Sequence, residues 1–271
     1  MVKSSPLADA LDETHFGGKA ASLGRSLCAG LPVPPGIALA TAYVEAVFGG
    51  QAEALTHLRS EFTALAGPCA VRSSAVGEDS EGASFAGQHA TILNVRDQDQ
   101  VVDAVLKVRE SAHTESARAY RRTLGLDEAP RIAVVVQRMI EPDCAGVMFT
   151  RNPLDGSDER VIEASWGLGE SVVAGLVVPD NYALDQQGRV LRRTVGEKDI
   201  ALRSAPDGGT IEEVVTGDLV AALCLSDEML ASLHDLATRC ESFFGRALDL
   251  EWAFADGRLY LLQCRPMTRN R

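Results

Sequence analysis

Residues 250–268 read LEWAFADGRLYLLQCRPMT. The runs 248–254 and 258–263 are rich in aromatic and branched side chains and flank Asp256-Gly257. An Asp-Gly pair tolerates the positive φ of a tight turn, so this stretch predicts an antiparallel hairpin. Successive strand side chains point to opposite faces. Glu251 and Ala253 are therefore expected on one face of the first strand, with Leu261, Gln263 and Arg265 together on the second. A carboxylate, an amide oxygen and a guanidinium would converge there. Just upstream, Ser226 offers an N-cap oxygen, Met229, Leu230, Leu233 and Leu236 follow at helical spacing, and Gly245 ends the run.

Working outward, the same pairing of strands recurs. Residues 144–150 and 160–164 read as paired strands around the turn 152–156, and residues 182–184 and 190–194 as a hairpin at Gln187-Gly188. Residues 70–74, 91–95 and 132–136 read as further strands, the last a buried β-branched run. Residues 18–29 read as a helix that Leu31-Pro32-Val33-Pro34-Pro35-Gly36 must end, followed by a short strand over 37–40. Helical periodicity covers 42–65, interrupted by Gly49-Gly50, and 98–124. Residues 204–217 are polar and glycine-rich and read as an exposed loop. Strand pairs beside helices, without regular βαβ alternation, make the fold class α+β.

The 271 residues suffice for one large domain or a two-lobed module. Hydrophobic residues at 46% and charged residues at 24% exclude a disordered chain. A formal net charge of −12 argues against nucleic acid as a partner, because an acidic chain repels a phosphate backbone. No apolar run approaches the roughly 18–20 residues of a membrane span, and the first residues lack the apolar core of a signal peptide. The six cysteines form no C-x-x-C pair, so neither zinc nor a disulfide framework is indicated; reduced thiols in a cytoplasmic protein are expected. The histidines at 15, 57, 89, 113 and 234 sit in no catalytic pattern and read as structural or surface residues.

Four groups of residues have the chemistry to meet phosphates, although no P-loop is present. Gly17-Gly18-Lys19 before a helix combines close backbone approach, a helix N-terminus and a cation; the plain alternative is a glycine turn with a solvated lysine. Arg72-Ser73-Ser74 at a strand end, followed by a Ser/Gly-rich segment through Gly87-Gln88, has the composition of an arginine fork under a lid; the alternative is an ordinary polar loop. Glu251 with Gln263 offers oxygen ligands to magnesium, or is a charged pair on a solvated face. Gln137-Arg138-Met139-Ile140, after a buried strand, offers exposed main-chain groups beside apolar side chains to a flat ring, or is core.

Five blocks occur in one order: 17–36 (GGKAASLGRSLCAGLPVPPG), 70–95 (AVRSSAVGEDSEGASFAGQHATILNV), 134–156 (VVVQRMIEPDCAGVMFTRNPLDG), 161–182 (VIEASWGLGESVVAGLVVPDNY) and 250–268. Together they resemble the N-terminal ATP-binding domain of the phosphoenolpyruvate synthase and pyruvate phosphate dikinase family, which rifampicin phosphotransferase shares. The resemblance implies an ATP-grasp-like fold, with a first lobe over 1–139 and a second over 140–271. It implies Lys19 and Arg72 as phosphate-binding residues, Gln137, Met139 and Ile140 as the adenine hinge, and Glu251 and Gln263 as magnesium ligands. Arg265 would contact the terminal phosphates, Gly167, Gly169 and Glu170 would form a loop near the nucleotide, and Gly87-Gln88 would close over it. The implied cofactors are ATP and magnesium.

Two departures from the family pattern stand out. The segment between Thr41 and Ala70 looks shorter than in full-length relatives. Nothing in the chain resembles the swivelling histidine domain or the substrate domain. The acceptor histidine is therefore expected on a separate carrier domain or protein. A self-sufficient ATP-grasp kinase or ligase and a non-catalytic nucleotide-binding module stay open as alternatives.

Overall fold

The computed structural model describes residues 4–76, 90–115 and 131–267. The chain divides into two units. The first comprises Met1–Cys28, Pro34–Met139 and Ala205–Gly209; the second comprises Ala29–Val33, Ile140–Ser204 and Thr210–Arg271.

The first unit holds β1 (Ser4–Pro6), α1 (Glu13–Cys28), β2 (Gly36–Leu39), α2 (Thr41–Phe48), α3 (Ala52–Ala64), β3 (Cys69–Ala75), β4 (Thr91–Val95), α4 (Gln98–Ser111) and β5 (Ile132–Arg138). Its sheet runs β1-β2-β5-β3-β4 with antiparallel neighbours. One face carries Ile37, Leu39, Val71, Ala75, Ile132, Val134 and Val136, which share a core with Val44, Leu58, Phe62, Val101, Val105 and Val108 of α2, α3 and α4. Gly49-Gly50 separates α2 from α3 as expected, and the Asp97 carboxylate caps α4 by accepting from the N–H groups of Asp99 and Gln100. The helix read over 98–124 is shorter: α4 ends at Ser111, where the Ser111 hydroxyl turns back to the Val108 carbonyl and takes the Ala90 N–H. Residues 116–124 lie outside the described residues.

The other face of this sheet is lined by small residues, Ala38, Ala70 and Ala133, and receives α1. That helix begins earlier than the sequence suggested and is broken at Gly17 (φ 77°, ψ 168°). The Ser74 hydroxyl bridges the break: it donates to the Phe16 carbonyl (2.7 Å) and accepts from the Ala20 N–H (3.0 Å). A Cβ at Gly17 would lie 1.8 Å from the Ser74 carbonyl oxygen, so both the positive φ and the close approach require glycine here.

The second unit holds β6 (Cys144–Phe149), β7 (Arg160–Trp166), α5 (Glu170–Val173), β8 (Asp180–Leu184), β9 (Val190–Thr194), β10 (Ile200–Ser204), β11 (Thr210–Val214), α6 (Asp227–Phe244), β12 (Leu248–Ala255) and β13 (Arg258–Pro266). Its main sheet runs β13-β12-β6-β7-β8-β9, again with antiparallel neighbours. Leu250, Trp252, Met148, Ile162 and Tyr182 are each fully buried. The apolar stripe of α6 (Leu230, Leu233, Leu236, Cys240) covers that face, with Cys240 against Cys264 of β13. Ser226 caps α6 and Gly245 ends it in the left-handed region (φ 68°), as read from the sequence. The exposed loop expected over 204–217 is corrected: Thr210–Val214 pairs with Ile200–Ser204 in a two-stranded ribbon. Asp207-Gly208-Gly209 is the turn, and the alternation in Thr210-Ile211-Glu212-Glu213-Val214 is masked by its polar composition. No described helix is long and apolar enough to cross a membrane. All six cysteines are described, and none forms a disulfide.

One buried ion pair ties three segments of this unit together. Asp180, fully buried at the head of β8, accepts from Lys198 Nζ (2.5 Å), the Gly196 N–H (2.8 Å) and the Cys224 N–H (2.7 Å); Lys198 is equally buried. Removing one partner of such a pair leaves an uncompensated charge. Lys198→Met should therefore destabilise the protein by roughly 3–5 kcal/mol, read from urea denaturation, and a loss below 1 kcal/mol would show that Asp180 does not depend on this cation. Gly17→Ala should lower the melting temperature well beyond Gly30→Ala: both glycines have positive φ, but a Cβ at Gly30 meets nothing within 4 Å. Equal shifts would mean that the Ser74 approach is not tight.

Candidate functional site

In the first unit three of the expected residues lie on the α1 side of the sheet. Alternation along β3 puts Arg72 on the face that carries Ser74. Across the ladder Arg72 stands opposite Val135 of β5 and Thr91 of β4, and Gln137 stands opposite Ala70 and Gly36. Lys19 sits in the first helical turn after Gly17, the turn that Ser74 pins to the sheet. Relative exposures are 9% for Lys19, 9% for Arg72 and 3% for Gln137. No carboxylate among the described residues pairs with Lys19. A cation largely withdrawn from water, beside a helix N-terminus and without an ionic partner, is placed to meet an anion. Gly87 and Gln88, expected as the closing segment, lie outside the described residues.

The expected hinge is less open than its sequence implies. The Gln137 amide donates to the Pro34 carbonyl (3.1 Å), the Arg138 N–H to Pro35 (2.9 Å) and the Met139 N–H to Pro68 (2.9 Å). The Arg138 and Met139 N–H groups are therefore already engaged, which corrects the expectation of exposed main-chain groups for these two donors. The proline-rich 32–35 segment and Pro68 supply carbonyls that a neighbouring strand otherwise would. Met139 and Ile140 are half-buried, and the division between the two units falls between them.

In the second unit the register of β12 and β13 sets Glu251 directly opposite Gln263 and Asp249 directly opposite Arg265. Alternation from Asp249 to Glu251 puts all four on one face. Arg265 donates through Nε to Asp249 Oδ2 (2.8 Å), with a second guanidinium nitrogen 2.6 Å from the same oxygen. Burial pushes the Asp249 carboxyl above its ordinary range, and the Arg265 guanidinium pulls against that. One expectation fails: Leu261 does not share the Gln263 face. The register shifts beyond Glu251, so that Trp252 pairs with Leu261 and Leu262 is the extra residue of a bulge. Counted regularly from the Asp256-Gly257 turn, Gln263 would have faced the buried Leu250.

Gly167, Gly169 and Glu170 follow β7, two strands from β12. Gly167 (φ 73°) receives Leu202 alongside, and a Cβ there would lie 2.4 Å from the Leu202 carbonyl oxygen. Gly169 precedes α5 and Glu170 is exposed. Sequence reasoning missed Asp249, although the i, i+2 spacing of Asp249 and Glu251 in a strand was a usable signal.

The donor set fits magnesium held jointly with a ligand. Magnesium takes one or two protein oxygens and completes its octahedron with phosphates and water. Glu251 and Gln263 provide such a pair, and no group of three or more His, Cys, Asp or Glu among the described residues forms an all-protein cage.

Comparison with known proteins agrees with the sequence resemblance. A family model described as "Pyruvate phosphate dikinase, AMP/ATP-binding domain" matches residues 50–271. A "Probable phosphoenolpyruvate synthase" of Methanothermobacter thermautotrophicus is 44% identical over 201 residues, covering 73% of this chain and 29% of the relative. The "Prodigiosin synthesizing transferase PigC" of Serratia marcescens is 37% identical over 286 residues, covering 95% of this chain and 32% of the relative. The "Uncharacterized phosphotransferase YvkC" of Bacillus subtilis is 37% identical over 201 residues, covering 73% and 24%. The chain thus spans about a quarter to a third of the length of these curated relatives. Among solved structures, an ATP complex of D-alanine–D-alanine ligase from Bacillus anthracis aligns over 97% of this chain and 59% of its own at 12% identity; its TM-score of 0.40 is too low to bear on fold or function. With most of its length matched by the family model and its relatives well above 30% identity, the chain belongs to the pyruvate phosphate dikinase AMP/ATP-binding domain family.

Proposed function

We propose that the chain binds ATP with magnesium and donates a phosphoryl group to a histidine on a separate carrier domain or protein: the β-phosphoryl group ends on the histidine, AMP leaves as the α–β anhydride bond breaks, and the γ-phosphoryl group passes to water and leaves as phosphate. It would act as the ATP-binding part of a phosphoenolpyruvate-synthase-like phosphotransferase. The observation that carries this reading is the cross-strand pair Glu251–Gln263 beside the braced Arg265, in a chain of an AMP/ATP-binding family.

The roles follow from the chemistry of each group. Glu251 and Gln263 hold magnesium, which when bound supplies charge neutralisation at the phosphates. Arg265, oriented by Asp249, meets the terminal phosphates as a fixed fork. Lys19 and Arg72 receive the remaining phosphate charge, Lys19 as a point charge and Arg72 as a planar donor. Gln137, Met139 and Ile140 line the adenine, with side chains and carbonyls rather than the engaged N–H groups as the contacting atoms. Gly167, Gly169 and Glu170 border the nucleotide, and Gly87-Gln88 cover the phosphates. Phosphoryl transfer asks little covalent chemistry of the protein, so placed cations of this kind are the main requirement.

Calorimetric titration with ATP, with and without magnesium, tests the binding step. The unaltered chain should bind ATP tighter with magnesium, and Glu251→Gln should remove most of that gain, at least about tenfold in Kd, because a hard anionic ligand is lost. Unchanged affinity in both conditions would sink the metal assignment. Adding an isolated phosphohistidine carrier domain should then produce AMP; ADP or AMP formed without any carrier would overturn the partner requirement.

A further inference from the structure

The ribbon of β10 and β11 has one occupied edge and one open edge. At its two ends the Val215 N–H donates to the Asp199 carbonyl (2.8 Å) and the Ala205 N–H to the Gly209 carbonyl (3.0 Å). The register between these ends is unbroken, so antiparallel alternation makes Ala201 with Glu213, and Arg203 with Ile211, the hydrogen-bonded pairs. The main-chain groups of Ile200, Leu202 and Ser204 then point away from β11, and on that side the Leu168 N–H meets the Leu202 carbonyl (2.9 Å). On the opposite side the N–H and C=O groups of Thr210, Glu212 and Val214 point outward in one row. No described residue pairs with that row, and all five residues of β11 are exposed.

An open edge is a template for another strand, and natural edges are blunted by proline, bulges or charge. β11 has no proline and no bulge; only charge guards it, and the charge has one sign. Between residues 199 and 218 stand Asp199, Asp207, Glu212, Glu213 and Asp218 against the single cation Arg203, which lies 3.3 Å from Glu213. Apolar contact is on offer from both faces: Ile211 is 48% exposed on the Glu213 side, and Val214 is 71% exposed on the Glu212 side. A second copy paired through the same strand would bring glutamates against glutamates, which disfavours it. A strand of opposite charge meets no such barrier. We infer that β11 takes an extended basic and apolar segment of a partner protein by strand addition. The open row supplies the main-chain bonds, Glu212 and Glu213 meet the partner's cations, and Ile211 and Val214 meet its apolar side chains. This edge shares no residue with the candidate nucleotide site, and the inference does not rest on the ATP-binding reading.

The test is fluorescence anisotropy on the full chain with a labelled, end-blocked peptide of alternating lysine and valine. That peptide should bind, a glutamate–valine peptide of the same length should not, and added salt should weaken the binding. Glu212→Lys combined with Glu213→Lys should weaken it about tenfold, because two attractions become repulsions. Val214→Pro removes an outward N–H and no bond of the ribbon, so it should leave the melting temperature unchanged and weaken the peptide about fivefold. The same peptide with every amide N-methylated keeps its charges, loses its donors and should bind at least about tenfold more weakly, with the protein untouched. No binding of the lysine–valine peptide, or equal binding of the glutamate–valine one, would overturn the inference. Undiminished affinity for the N-methylated peptide and in Val214→Pro would overturn strand addition. Dimers of the peptide-free chain that Val214→Pro abolishes would assign the edge to a second copy and overturn the basic partner.

Discussion

The period-two alternation of a strand is the constraint on which the rest depends. In both sheets it sorts side chains into an apolar face that helices cover and a second face with a different population. In the first unit the covered face is Val71, Val134 and Val136 beneath α2 to α4, while Arg72, Ser74 and Gln137 turn the other way. In the second, Leu250, Met148 and Ile162 lie on the α6 side, and Asp249, Glu251 and Glu163 oppose them. The hydrophobic effect fixes the register because a slip by one residue would exchange the two populations. The polar faces are therefore positioned by the same packing that makes the units stable.

Several of the buried charges on these units are paired. Asp180 is matched by Lys198, and Arg160 by Glu241, with Arg160 also donating to the His234 carbonyl. These bonds join β8 to the segments at 196–198 and 224, and β7 to α6. Asp249 and Arg265 form a third pair, on the polar face, where the carboxylate restrains a guanidinium that is still partly exposed. Lys19 and Glu163 stand apart from this pattern, and each sits on or against a face with other polar groups nearby.

Much of the architecture was legible in the sequence where local chemistry is strong. Ser226 and Gly245 bracketed α6, Asp256-Gly257 marked its hairpin, and Gly49-Gly50 separated two helices, because caps and turns are decided by a few neighbouring atoms. The ribbon at 200–214 was missed because its second strand is fully exposed and carries no apolar period. The kink at Gly17 depends on the Ser74 hydroxyl, 57 residues away, and no local window contains that contact. In the candidate site, residue types and order were readable from the blocks at 17–36, 70–95 and 250–268. The occupation of the Arg138 and Met139 N–H groups by proline carbonyls was not, since it requires knowing which loops flank β5.

The bulge at Leu262 makes the spacing between Glu251 and Gln263 a matter of parity. The arm beyond the bulge is offset by one residue from the arm nearest the turn, and only with that offset does Gln263 meet Glu251 rather than Leu250. With the turn and the bulge both kept, a gain or loss of one residue in the paired arm between them moves the amide to the core side and a leucine to the polar side. A change of two preserves both. Homologous hairpins that keep the turn and the carboxylate–amide pair should thus differ in the length of that arm by even steps, or by an odd step only where the bulge has been lost or duplicated.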